Sequence, residues 1–119
     1  MRMSVRWAWI ALAAVSGGLI GVAEAKPPHN SANEYLLKLP ENQRAAWLAR
    51  TVGNWCVATE PFLMGVAQNG AGAGNAYWSF RCIEGGSFVV QLDPLGGGVA
   101  IDCETFKEDG GGKECFKRF

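Results

Sequence analysis

Cysteine is the residue type best placed to do chemistry in this 119-residue chain. Cys56, Cys82, Cys103 and Cys115 are separated by 25, 20 and 11 residues. No Cys-x-x-Cys pair occurs, which argues against a thioredoxin-like redox site and against the usual zinc clip. The single histidine, His29, lies in a Pro/Asn/Ser-rich stretch far from the cysteines in sequence. It is poorly placed to complete a metal site or to serve as base to a serine or cysteine nucleophile. An even cysteine count in a short chain, with no metal-ligand spacing, reads as two disulfides. No metal or other cofactor is expected.

Carboxylates are the next resource. Asp102 and Glu104 are expected on one strand face, and Glu108 and Asp109 in a turn. Paired carboxyls run glycoside hydrolysis when a cleft holds them, but on a strand face or a turn they are ordinarily solvated. The spacing around Asp109-Gly110 lacks the repeated acids of a calcium loop. Gly70-Ala71-Gly72-Ala73-Gly74 has neither the third glycine of a dinucleotide fingerprint, since Asn75 stands there, nor the lysine and hydroxyl of a phosphate loop. No enzyme is read from these residues.

The elements that position these groups follow a leader. Arg2 and Arg6 precede an apolar run from Trp7 to Val22, and Ala23-Glu24-Ala25 has the small-x-small form of a cleavage site. Residues 1–25 are therefore expected to be a removed signal peptide. No second segment is long and apolar enough to span a membrane. Removal of Arg2, Arg6 and Glu24 changes the formal charge from 0 to −1. That balance gives no basis for nucleic-acid binding, which relies on a basic excess. Lys113, Lys117 and Arg118 are the one local cluster of cations and read as a solvated face. The product is expected in the periplasm or outside the cell.

Residues 26–33 are expected to be a flexible start, and 34–119 a single small domain. Pro40 to Gly53 carries helix signals: Pro40 and Glu41 at its start, Ala45, Leu48 and Val52 at helical spacing, and Gly53 to stop it. Beyond Gly53 the period becomes two. Asn75–Ile83, Ser87–Leu92 and Val99–Phe106 alternate between apolar and polar positions and are separated by glycine clusters. Asn54–Thr59 and Lys113–Phe119 are weaker strands at either end. The fold class is α+β: an N-terminal helix on an antiparallel meander of about five strands, stapled by disulfides.

A meander also selects a connectivity. Hairpins folded about Asn69 and Asp109 set Cys56 opposite Cys82 and Cys103 opposite Cys115. These pairings are preferred among the three possible.

In the Asn75–Ile83 strand, Trp78, Phe80 and Cys82 share one face, and Tyr77, Ser79 and Arg81 the other. Tyr77 and Arg81, with Trp55 from the neighbouring strand, have the composition of a recognition surface; the competing reading is that the helix covers them. Pro61–Gly74 is either core or an exposed binding loop. The functional expectation is a non-catalytic binding or structural module of the bacterial envelope, taking an unknown protein or glycan. A hydrolase inhibitor acting through Pro61–Gly74 is the alternative, and a small carboxylate enzyme the third reading.

Overall fold

The computed structural model describes residues 28–109 and 111–119; the expected signal peptide lies outside them. Helix α1 spans Ser31–Leu37 and α2 spans Glu41–Ala49. Strands β1 (Ala58–Val66), β2 (Ala76–Cys82), β3 (Ser87–Leu92) and β4 (Gly98–Asp102) follow, and α3 (Cys103–Asp109) comes last. The strands form one antiparallel sheet in chain order. Among the described residues none of the helices is long and apolar enough to cross a membrane.

Helices α1 and α2 explain their own sequences. Asn30 caps α1: its Oδ1 accepts the Asn33 amide at 2.9 Å, while its Nδ2 donates to the carbonyls of Gly74 at 2.7 Å and Leu92 at 3.0 Å. Residues 28–33, expected to be flexible, are thus tied to the far end of the sheet, and Asn30 is buried. The polar composition that reads as a tail is here a cap and a set of tethers. Arg44 of α2 closes the other end of α1, donating to the carbonyls of Leu36, Leu37 and Leu39 at 2.9, 3.0 and 3.0 Å. Helix α2 ends near Gly53, whose amide reaches the Ala49 carbonyl at 3.1 Å and whose φ is +150°.

Two clusters sandwich the sheet. Leu36, Leu48 and Ala49 from the helices pack on Ala76, Trp78, Phe80, Val90 and Leu92. On the opposite face Phe106 of α3 packs on Met64 and Val89, with Phe62, Tyr77, Ile101 and Cys115 around it. The Trp78 indole N–H donates to Asn33 Oδ1 at 2.7 Å, which satisfies the one polar atom of the largest core side chain.

Among the described residues four strands form where about five were expected, and two boundaries move. Val99–Phe106 is strand only to Asp102. There Asp102 Oδ1 accepts the Thr105 amide at 2.9 Å and Oδ2 the Thr105 hydroxyl at 2.8 Å, a cap that starts a helix and overrides the alternation of Val99, Ile101 and Cys103. Asp102 and Glu104 consequently do not share a strand face. Lys113–Phe119 is not a strand; it crosses the outer face as irregular chain. Strand β1 instead begins at Ala58 and absorbs Pro61–Val66, so the first half of the segment read as irregular is strand, with Met64 in the core.

Both disulfides join the expected partners by other routes. In β1–β2, Cys82 faces Ala58, because the hairpin folds about Ala71 rather than Asn69, and the register shifts between Thr59 and Phe62 and between Leu63 and Gly65 recover only part of that offset. Cys56 lies in the turn before β1 and reaches Cys82 with Cα atoms 5.2 Å apart. Cys103 opens α3 and meets Cys115 of the irregular segment at 5.9 Å. Bridges of this span stabilise by roughly 3 kcal/mol each in the loop-entropy account. They mark an oxidising, non-cytoplasmic setting.

Candidate recognition surface

The ladder brings both bridges to one end of the sheet. Cys82 ends β2, and Cys103 directly follows Asp102, which lies opposite Phe88 and so beside the start of β3. One bridge ties this end to the chain entering β1, and the other ties it to the C-terminal segment on the outer face. We refer to it as the stapled end.

Arg81 sits there on the outer face. Its Nε donates to Glu60 Oε1 at 3.0 Å and its Nη1 to Ser87 Oγ at 3.2 Å, while the guanidinium carbon lies 4.3 Å from the centroid of the Phe116 ring. Glu60 and Phe116 are the two non-glycine residues with positive φ among the described residues, at +57° and +64°. Left-handed backbone at such residues costs roughly 1–2 kcal/mol each. Both strained residues therefore touch the same side chain. Phe116 is held by its amide, which donates to the buried Ser79 hydroxyl at 2.9 Å. Arg81, Ser87, Glu104, Lys107, Glu114 and Phe116 border a shallow cleft of about 270 Å³ above the Cys103–Cys115 bridge.

Tyr77 is elsewhere on that face. It is half-buried between Phe106, at 6.2 Å between ring centroids, and Phe119, at 5.3 Å. The face is thus covered in large part, by α3 and the C-terminal segment rather than by the N-terminal helix. Trp55 is not beside Tyr77 and Arg81. It precedes β1 on the helix side, its ring edge-on to Phe88 at 6.0 Å, and is half exposed. Of the three predicted surface residues, the structure brings Arg81 and Trp55 to the same end of the sheet on opposite faces and leaves Tyr77 in the packing.

Val57 and Ile83 are additional residues of this end. The Ile83 amide donates to the Val57 carbonyl at 2.9 Å, which brings the residues that directly follow Cys56 and Cys82 into one backbone pair next to the bridge. They are 53 % and 67 % exposed, beside Trp55 at 50 %. Their sequence signal was the placing of apolar residues directly beside two cysteines, where a bridge rather than a core would hold them.

Carboxylates offer less. Asp102 is fully engaged as the α3 cap, and the Thr105 amide, then its hydroxyl, hold its pKa below the ordinary 3.8. Among the described residues no group of three or more His, Cys, Asp or Glu side chains is arranged to hold a metal ion.

Fold and surface together define a small disulfide-stapled α+β domain with an apolar, bridge-supported end. Comparison with protein-family models, with curated proteins and with solved structures finds no match.

Proposed function

We propose that the protein is an exported, non-catalytic binding module of the bacterial envelope and that it recognises its partner through the stapled end. The observation that carries this reading is the exposure of Trp55, Val57 and Ile83 together around the Cys56–Cys82 bridge. Exposed apolar side chains in one place mark interaction sites more often than scattered ones do. A rigid backbone lowers the ordering cost of binding, and tryptophan and arginine are the side chains most enriched at binding hot spots. Arg81, fixed by Glu60 and Phe116, supplies a directional donor at the rim. The basic n-region, apolar run and small-x-small site, together with the two bridges, support export.

Exposed apolar side chains at an end that also carries Arg81, on the outer face, and Glu84, whose Oε1 accepts the Val57 amide at 3.1 Å, favour a protein partner over a neutral glycan. The test is capture from envelope extract by the immobilised oxidised protein, run beside a Trp55→Ser/Ile83→Ser variant of unchanged thermal stability. Specific capture that the variant loses supports the reading; equal capture by both removes the stapled end from it.

A further inference from the structure

The two edges of the sheet are treated differently. Strand β1 carries the devices that blunt an edge. Pro61 lacks an amide, Glu60 is left-handed within a register shift, a second shift follows, and the Phe119 amide takes the Met64 carbonyl at 3.1 Å. Strand β4 has none of these. Its register with β3 runs unbroken from Gly98 to Asp102, without proline and with a single charge at its end. Bonded and non-bonded pairs alternate along an antiparallel ladder. The Asp93 amide bonds the Gly97 carbonyl at 2.8 Å, so Val99 and Ile101 turn their peptide groups toward β3. Gly98, Ala100 and Asp102 turn theirs to the other side, where among the described residues no strand pairs.

We infer that this edge pairs with the β4 edge of a second copy, antiparallel, about a two-fold axis at Ala100. The strand is self-complementary in that register. Ala100 meets Ala100 of the other copy in a bonded pair, small enough for close approach, and Gly98 meets Asp102. Val99, 57 % exposed, falls opposite the half-buried Ile101 on the outer face. The pairing adds about four backbone hydrogen bonds and covers two exposed valines. The formal charge of −1 expected once residues 1–25 are removed opposes association with little repulsion. Five paired residues bury less than the ~1,200 Å² of a stable interface, so the dimer is concentration-dependent. The axis is perpendicular to the joined sheet, so the two stapled ends point in opposite directions; the pairing itself stands whether or not those ends bind a partner.

Sedimentation of the oxidised protein from about 10 μM to about 1 mM, a span suited to weak interfaces, should show mass rising from monomer toward dimer. Val99→Lys, at an exposed position, should weaken association about tenfold or more with thermal stability unchanged. Ala100→Cys should yield a disulfide-linked dimer on air oxidation, and Thr59→Cys on the opposite edge should not. A monomer throughout the range, a dimer indifferent to Val99→Lys, or linkage through position 59 in place of 100 overturns the inference.

Discussion

The guanidinium carbon of Arg81 lies 4.3 Å from the centroid of the Phe116 ring, and the residue on its other side, Glu60, shares with Phe116 a left-handed backbone. Local strain is thus concentrated around one exposed cation at the end where both disulfides meet. Strained backbone gathers at functional sites more than elsewhere, which is consistent with Arg81 being positioned for recognition rather than for stability.

Substitution at Glu60 separates strain from pairing. The Arg81–Glu60 pair is exposed, with side-chain accessibilities of 52 % and 63 %, and such pairs contribute about 0–1 kcal/mol. Relief of the left-handed conformation by glycine is worth about 1–2 kcal/mol. Glu60→Gly should therefore be neutral or stabilise by up to about 1 kcal/mol in urea unfolding, and Glu60→Val should destabilise by about 2 kcal/mol. Clear destabilisation by glycine would show that the ion pair outweighs the strain.

Asn33 supplies the acceptor for the Trp78 indole in the core. Asn33→Leu leaves that N–H buried without a partner, an expected loss of about 1–3 kcal/mol. Tryptophan fluorescence and unfolding midpoints, measured together, check it; an unchanged midpoint would mean that the indole finds another acceptor.

The Asp102 cap gives stability a pH dependence of known sign. Its folded pKa is depressed by the Thr105 amide and hydroxyl, so its contribution is full above the unfolded value near 3.8 and is lost as pH falls through the folded value. Asp102→Ala should lower stability at neutral pH, where the capping carboxylate is ionised, and by progressively less below pH 3.8. Equal losses at neutral and acid pH would argue against the cap.

Loss of the Cys103–Cys115 bridge should act on the outer face. Cys103→Ser/Cys115→Ser is expected to destabilise by about 2–4 kcal/mol and to speed amide exchange in residues 111–119, which carry Phe116 and Phe119 onto β1 and β2. Exchange that accelerates first in α1 and α2 would place the bridge's influence elsewhere.

Sheet and core were readable where packing follows local period: Trp78, Phe80 and Cys82 alternate with Tyr77, Ser79 and Arg81 because β2 is covered on both faces by different layers. The register shifts of β1 were not readable, since they depend on the left-handed Glu60 and on what packs above it. Helix α3 was hidden because Asp102 is at once the last strand residue and a helix cap; its Asp-x-x-Thr spacing was the available signal. Both bridges were anticipated from hairpins, although Cys103 is reached through a helix and Cys56 through a turn. Bringing the right halves of a small sheet together sufficed to pair them. For the surface, Arg81 and Trp55 were legible as exposed residues, whereas their separation onto two faces depended on Phe88 offering Trp55 a seat on the helix side.

Amide exchange on the oxidised protein, free and with the partner captured from envelope extract, tests recognition by the stapled end most directly. The account predicts that protection on binding is confined to residues 54–58 and 81–88, around Trp55, Val57, Ile83 and Arg81. Protection that leaves these residues unchanged and falls on α1, α2 or the Asp93–Gly97 turn would contradict it.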